Sequence, residues 1–337
     1  MKILAYEVRP DERMELQKQA HLLGVELEMT GEVPSLENAC LACGYDGIST
    51  LGQGRLDGAF LNLLKKQGVG YLSTRTLGYD HIDLAKAREL GLRVCNSRYA
   101  PNGVADFAVM LMLMCLRRSK QALKKGDGND FSLKGLQGKE MKDVTVGLIG
   151  TGRIGAQTAK NLSGFGCRIL AHDVVENERL ADIVTYVGFE TILAEADIIS
   201  LHMPLLASNY HMVNRETIGK MKDGVVLINC SRGELIDTDA LLEALEQGKV
   251  AAAGLDTCEE EEGIIHCDLR QTGLPENRWA KLRRHPNVVL TPHMAFYTEA
   301  AVASMVECGI RGIWEMAKGY PCETEITGVQ QSKLRWE

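Results

Sequence analysis

The chain has 337 residues, 45% hydrophobic and 25% charged, a length and composition that suit two folded domains better than one core. Its formal net charge of −7 argues against recognition of a phosphate backbone, so no nucleic-acid partner is expected. The longest apolar run, Phe107 to Leu116, is too short to span a bilayer and ends in Arg117 and Arg118, so it reads as a buried helix and no membrane partner is expected.

Residues 1–7 read as a first strand and lack the apolar core of a secretory leader. The ten cysteines have no disulfide-like rhythm, which predicts reduced thiols in a cytoplasmic protein. Cys40-Leu41-Ala42-Cys43 has redox-motif spacing, but no second pair stands nearby to complete a zinc site. These read as two helix thiols one turn apart, and no metal is expected.

Further along, residues 47–51, 70–73 and 92–95 read as short strands, with helices over 11–23, 57–66 and 83–90. This is a small doubly wound unit without a dinucleotide fingerprint. Pro101 suits the first turn of a long helix, and Gly126-Asp127-Gly128-Asn129-Asp130 breaks the pattern as a surface loop. A second series of strands comes at 144–149, 168–172, 198–202, 225–229, 251–255 and 288–290, the six that a complete dinucleotide-binding sheet needs. After His293 one more helix is marked by Val302, Val306, Ile310, Ile313, Trp314 and Ala317 at helical spacing. It comes after a finished sheet, so its expected place is back on the first unit. The expected domains are therefore 1–100 with 296–337, and 101–295 inserted between them.

The segment Val144 to Ile149 runs into Gly150-Thr151-Gly152-Arg153-Ile154-Gly155, a G-x-G-x-x-G turn between a buried strand and a helix. Gly150 permits the tight turn, Gly152 lets backbone approach a pyrophosphate, and Gly155 lets the helix pack on the strand. The helix N-terminus offers unpaired N–H groups and partial positive charge to the phosphates. Asp173 closes the next strand, 18 residues after Gly155, near the spacing of a ribose-binding acid. Val174 and Val175 come next, with no Arg for a 2′-phosphate, which predicts NAD over NADP.

Ligands of open parallel sheets bind beyond the carboxyl ends of the strands. Reactive residues stand after three predicted strands: Cys230-Ser231-Arg232-Gly233, then Asp256 with Glu261 five residues on, then Thr291-Pro292-His293. A guanidinium, a carboxylate and an imidazole at one rim suit reduction of a 2-keto acid. Arg232 can hold the substrate carboxylate in a fork and polarise the carbonyl. His293 can give and take the proton, and Glu261 can orient the imidazole and stabilise its charged form. Asp256 is expected to position the nicotinamide end of the cofactor. Within Glu259-Glu260-Glu261-Glu262, the charge run blurs which carboxylate matters.

The fingerprint, then Asn229-Cys230-Ser231-Arg232-Gly233, Gly254-Leu255-Asp256 and Thr291-Pro292-His293, resembles the D-isomer-specific 2-hydroxyacid dehydrogenases along essentially the whole chain. Tyr99-Ala100-Pro101-Asn102 and Phe296-Tyr297-Thr298-Glu299 look closest to the lactate, hydroxyisocaproate and VanH-type reductases. The resemblance implies a Rossmann NAD-binding domain inserted in a smaller flavodoxin-like substrate domain, both doubly wound parallel α/β sheets. It implies Arg232, Glu261 and His293 as catalytic. It also implies cofactor contacts at Arg153, Ile154, Asp173, Met203, Pro204, Asn209, Cys230, Ser231, Arg232 and Asp256. For the substrate it implies backbone N–H groups at Leu77 and Gly78, with Leu51, Tyr99 and Phe296 lining the pocket. A homodimer built near the 101–116 helix is implied as well.

Leu51 stands where lactate enzymes of this group can carry Tyr, so apolar 2-keto acids are expected, branched or aromatic, with pyruvate as the rival. Cys230 and Cys258 suggest thiol sensitivity. Two other readings stay open on sequence: a phosphoglycerate or glyoxylate reductase, and a non-catalytic dimer that senses NAD(H).

Overall fold

The structure, a computed structural model, describes residues 1–328. It divides into two compact α/β units, one formed by Met1–Ala100 with residues 297–328, the other by Pro101–Phe296. The sequence reading puts residue 296 in the first unit. Phe296 groups instead with the second, where its ring lies edge-on to His293 with centroids 6.4 Å apart. Residues 329–337, also assigned to the first domain from sequence, lie outside the described residues.

In the first unit, β1 (Lys2–Ala5), β2 (Glu26–Met29), β3 (Gly47–Thr50), β4 (Tyr71–Thr74) and β5 (Arg93–Cys95) form one parallel sheet in the order β2-β1-β3-β4-β5. That is the flavodoxin-like order. Between the strands run α1 (Arg13–Leu23), α2 (Gly58–Lys66) and α3 (Leu84–Glu89). The last two begin at acids that cap them. Asp57 and Asp83 each accept a backbone N–H of the first turn, from Phe60 and Lys86, at 2.9 Å, the usual N-cap bond. The edge strand β2 is unexpected: Glu26 and Glu28 form an exposed charged face, and only Leu27 and Met29, partly buried on the core, mark the other, too little apolar text to announce a strand. Cys40 and Cys43 lie at a 3-10 turn, Ala39–Ala42, rather than on an α-helix, and both are exposed.

The second unit holds β6 (Thr145–Ile149), β7 (Arg168–His172), β8 (Thr185–Tyr186), β9 (Ile198–Leu201), β10 (Val225–Asn229), β11 (Val250–Leu255) and β12 (Val288–Leu290). They make a seven-stranded sheet in the order β12-β11-β10-β9-β6-β7-β8, parallel throughout. Strand order reverses between β6 and β9, which is where a doubly wound sheet opens its crevice. The seventh strand, β8, is two residues long, too short to carry a pattern in sequence. Helices α4 (Asn102–Leu116), α5 (Ser119–Asp127), α6 (Arg153–Ser163), α7 (Phe189–Glu195), α8 (Arg215–Lys220), α9 (Thr238–Glu246) and α10 (Arg278–Arg284) connect and cover it.

The apolar run foreseen as a buried helix is α4. Ala108, Leu111 and Met112 are fully buried against Val146, Leu148 and Ile228 of the sheet, each large side chain contributing about 1.5–3 kcal/mol by leaving water. On the opposite face Leu193, Ile199, Leu227 and Leu241 close a second core. No helix of the described residues is long and apolar enough to cross a membrane.

The last helix, α11 (Glu299–Lys318), starts at Thr298, whose hydroxyl accepts the Ala301 N–H. It packs on β3, β4, β5 and α1. Val306, Ile310 and Ile313, at the spacing read from sequence, are buried with Ile3, Ala5 and Leu16. The first unit is thus completed by the far end of the chain.

Candidate active site

The glycine turn lies at the C-terminal end of β6. Gly150 has φ +96°, and a Cβ there would sit 2.5 Å from the His202 carbonyl oxygen. At Gly155 a Cβ would meet the Gly150 carbonyl oxygen at 2.0 Å, so only glycine lets α6 start this close to the strand. Gly152 is the N-cap of α6, and a Cβ there would meet nothing within 4 Å. The space before the helix N-terminus is open, as a pyrophosphate requires.

Asp173 comes directly after β7 and is fixed by the turn itself. The Thr151 N–H and hydroxyl donate to Asp173 Oδ2 at 2.6 and 3.2 Å, and the Val175 N–H donates to Oδ1 at 3.2 Å. A carboxylate offers about four acceptor positions, so ribose hydroxyls still find room. Tyr186 of β8 donates to the Thr151 hydroxyl at 3.0 Å and accepts the Asn177 N–H at 2.9 Å. The unforeseen strand therefore braces the fingerprint.

Beside Gly152 runs a groove of about 190 Å³ lined by Arg153, Gln157, Lys160, Asn177 and Arg179 among others. Its three cations suit the charge of a pyrophosphate. Lys160 and Arg179 escape sequence reasoning because one lies a helical turn and a half past the fingerprint and the other six residues past Asp173. Lys160 shares a face of α6 with Arg153 and Gln157, and the path of the loop after β7 brings in Arg179.

Of the other expected cofactor residues, Met203, Pro204 and Asn209 form one loop after β9. The Asn209 amide donates to the Pro204 carbonyl at 2.9 Å and accepts the Leu206 N–H at 2.7 Å, so it shapes the loop. Ser231 donates its hydroxyl to the Leu201 carbonyl at 2.8 Å.

The three reactive segments leave adjacent strands in register: Asn229 pairs Leu255, and Leu255 pairs Leu290. Arg232, Asp256 and His293 consequently leave the sheet at one edge. The Arg232 carbonyl accepts the Asn229 side-chain N–H at 2.8 Å, and its guanidinium donates to the Ser231 carbonyl at 2.8 Å. At Gly233 a Cβ would sit 2.1 Å from the Cys258 carbonyl carbon. The backbone after Arg232 therefore packs directly on the segment that leads to Glu261.

His293 Nδ1 and Glu261 Oε2 are 2.9 Å apart. The other Glu261 oxygen accepts the Cys258 N–H at 2.9 Å, and both side chains are partly exposed. Glu261 is the member of the acidic run that meets the imidazole. Its neighbour Glu259 is buried and turned elsewhere, accepting the Thr238 N–H at 3.0 Å and meeting His211 Nε2 at 2.7 Å. With Nδ1 on the carboxylate, Nε2 is the nitrogen left to exchange a proton with a ligand.

Asp256, expected to position the nicotinamide end of the cofactor, also holds the turn that bears His293. It is 1% exposed. Its oxygens accept the Thr291 hydroxyl (2.6 Å) and the N–H groups of Met294 (2.9 Å) and Ala295 (2.8 Å). These bonds fix the turn bearing His293, at φ +50°. The expected thiol sensitivity meets surroundings that oppose it. Burial pushes the Cys230 thiol well up, with Asp256 adding to it, and burial followed by Glu261 and Glu259 does the same to Cys258. The thiolate is the reactive form, and both sites suppress it.

In the first unit, Leu51 is buried at the end of β3. The Thr76 carbonyl accepts the Ser97 N–H at 3.0 Å and the Leu77 carbonyl accepts the Asn96 amide at 2.8 Å. Across a trans peptide the N–H opposes the carbonyl, so the N–H groups of Leu77 and Gly78 face away from β5. Tyr99 is half-buried at the end of this unit. Arg75, just ahead of this loop, is fully buried on Glu12 (2.9 Å), the Ser49 hydroxyl (3.1 Å) and the Tyr6 carbonyl (2.8 Å).

Comparison with known proteins agrees with this architecture. The profile "D-isomer specific 2-hydroxyacid dehydrogenase, NAD binding domain" matches residues 109–295. The aromatic 2-oxoacid reductase of Clostridium sporogenes is 42% identical over 96% of this chain and 99% of that one. The D-specific alpha-keto acid dehydrogenase of Enterococcus faecalis is 42% identical over 82% of this chain and 84% of its own. The NAD-complexed D-isomer specific 2-hydroxyacid dehydrogenase of Lactobacillus delbrueckii ssp. bulgaricus superposes with a TM-score of 0.82 at 34% identity, covering 97% of this chain and 100% of that one. With fold, fingerprint and relatives in agreement, the chain belongs to the D-isomer-specific 2-hydroxyacid dehydrogenase family, as an NAD-dependent oxidoreductase.

Proposed function

We propose that the protein reduces 2-keto acids with apolar side chains, branched or aromatic, to (R)-2-hydroxy acids, with pyruvate as a smaller substrate. The observation that carries this reading is the 2.9 Å contact between His293 and Glu261 at the strand edge that also bears Arg232. An apolar Leu51, and the aromatic 2-oxoacid named for a 42% identical relative, favour the larger acids.

NAD, when bound, supplies the hydride in reduction and accepts it in oxidation. Arg153, Lys160 and Arg179 would face its phosphates and Asp173 its ribose, which leaves no room for a 2′-phosphate beside that charge. As the substrate carbonyl is reduced, negative charge builds on its oxygen. His293 donates the Nε2 proton to that oxygen, and Glu261 stabilises the imidazole in its charged state before transfer. Arg232 holds the carboxylate and the developing oxyanion, with the N–H groups of Leu77 and Gly78 as further carboxylate donors.

We further infer a homodimer on the outer face of α4. There a groove of about 450 Å³ is lined by Val109, Met110, Leu113, Met114 and Phe165, an apolar surface that suits a second copy. The ten cysteines are all free thiols, which suits a cytoplasmic setting. Kinetics with phenylpyruvate, 2-ketoisocaproate, pyruvate and 2-ketoglutarate test the substrate reading. The first two should show the highest kcat/KM. Preference for the dicarboxylic acid, or for pyruvate alone, would refute it.

A further inference from the structure

The backbone after β1 turns abruptly. Glu7, immediately past Tyr6, adopts φ +56° and is 4% exposed. Its own N–H donates to the Glu32 carbonyl at 3.0 Å. Its carboxylate lies across the end of β3 and accepts four consecutive backbone N–H groups. Gln53 and Gly54 donate to Oε1 at 2.8 and 2.7 Å, Gly52 donates to Oε2 at 2.9 Å, and Leu51 donates to the same Oε2. Successive amides converging on one point form an anion-binding concavity, and here the chain's own side chain fills it. Burial pushes this carboxyl above the usual range, while the N–H groups of Leu51, Gly54 and Gly52 and the Arg75 charge pull the other way.

A loop of this length is ordinarily held by one or two side-chain bonds from Asp, Asn or Ser. Here a buried acid in a left-handed conformation takes every amide from 51 to 54. The loop has little slack elsewhere: Gly52 has φ +87°, and a Cβ there would lie 3.0 Å from the His81 ring. The first residue of the loop is Leu51, 5% exposed. A side chain whose backbone is clamped this firmly presents a wall of fixed position.

We propose that Glu7 is a positioning residue for substrate choice, its carboxylate holding the 51–54 loop so that Leu51 sets which keto-acid side chains are accepted. The inference rests on the proposed function, which puts Leu51 at the substrate pocket. Glu7 acts through the loop and touches no reacting atom.

Glu7→Gln keeps the shape but turns one acceptor into a donor that faces two N–H groups. The preference for phenylpyruvate over pyruvate, as a ratio of kcat/KM, should fall about tenfold, a change of roughly 1.4 kcal/mol. The change should lie in KM, with kcat and the NADH dissociation constant kept. Gly52→Ala, which leaves Glu7 intact and disturbs its amide against His81, should shift the ratio the same way and decides the matter if Glu7→Gln does not fold. Leu51→Ala should shift it in the wild type and add little in the Glu7→Gln background. If Leu51→Ala alters the preference while folded Glu7→Gln and Gly52→Ala leave it unchanged, the inference fails and the proposed function stands. Equal losses in NADH affinity and keto-acid KM would mark a merely structural role and also overturn it. If the wild type turns over no 2-keto acid, or Leu51→Ala leaves the preference unchanged, the proposed function fails first and takes this inference with it.

Discussion

His293 is the residue on which the proposed chemistry turns, and its backbone shows how firmly it is held. A histidine at φ +50° persists where the surroundings over-determine it. Here the His293 N–H donates to the Asp256 and Thr291 carbonyls at 2.9 and 3.0 Å while the Asp256 carboxylate grips the next two amides. Replacing His293 with Gln should lower kcat by about 10²–10⁴-fold with NADH affinity kept, read by steady-state kinetics and NADH fluorescence titration. Asp173 is the proposed discriminator between cofactors. In Asp173→Ala the NADH-over-NADPH preference should fall by roughly tenfold or more, about 1.4 kcal/mol per decade, because the opposing charge goes and Arg179 already lines the adjoining groove. At this scale the chain is largely readable. The residue types after the strands name Arg232 and His293, and the family resemblance picks Glu261 from its acidic run. The bracing of the His293 turn by Asp256 is not announced, because a carboxylate at a strand end looks the same in sequence whether or not it also grips a neighbouring turn. Arg179 is passed over because a sequence gives loop length but not loop path.

Strands and helices serve this site chiefly by launching loops. Those after β3 and β4 begin on a buried polar base, with Arg75 on Glu12, Ser49 and Tyr6. Removing one member leaves an uncompensated buried charge, so Glu12→Ala should destabilise the protein by roughly 3–5 kcal/mol. The corresponding downward shift in urea midpoint would be read by circular dichroism. Most strands and helices announce themselves, because buried parallel strands are continuous apolar runs and about half of the helices start at Asp, Asn or Thr caps. The exceptions, β2 and β8, have physical causes: one is a charged edge strand, the other has two residues. Neither Glu7 nor Arg75 is legible as a support. Each lies 44 or more residues from at least one of its hydrogen-bond partners, and only the fold joins them.

Over the whole molecule, two parallel-sheet units are threaded so that the chain's end completes its beginning, an arrangement the position of the last helix already suggests. If the apolar face of α4 seats a second copy, Met110→Asp should give monomers by analytical ultracentrifugation, while a monomeric wild type would dispose of the dimer. Global stability should depend on pH through His202, half-buried with its Nε2 2.9 Å from the Ser200 hydroxyl, its surroundings holding it down at about 4. The unfolded chain takes up this proton near its ordinary value of about 6.5, and the folded one does so only near 4. Between these values the unfolded state binds more protons, so stability is fully present above pH 6.5 and is lost as pH falls toward 4. The melting temperature should drop over that window, and less so in His202→Gln.

Product chirality bears on every step proposed for this site. Phenylpyruvate and NADH should be incubated with the enzyme and the phenyllactate resolved by chiral chromatography. NADH consumption should be matched by the R product alone. Formation of the S product, or no turnover by protein that binds NADH, would be incompatible with the chemistry assigned to Arg232, Glu261 and His293.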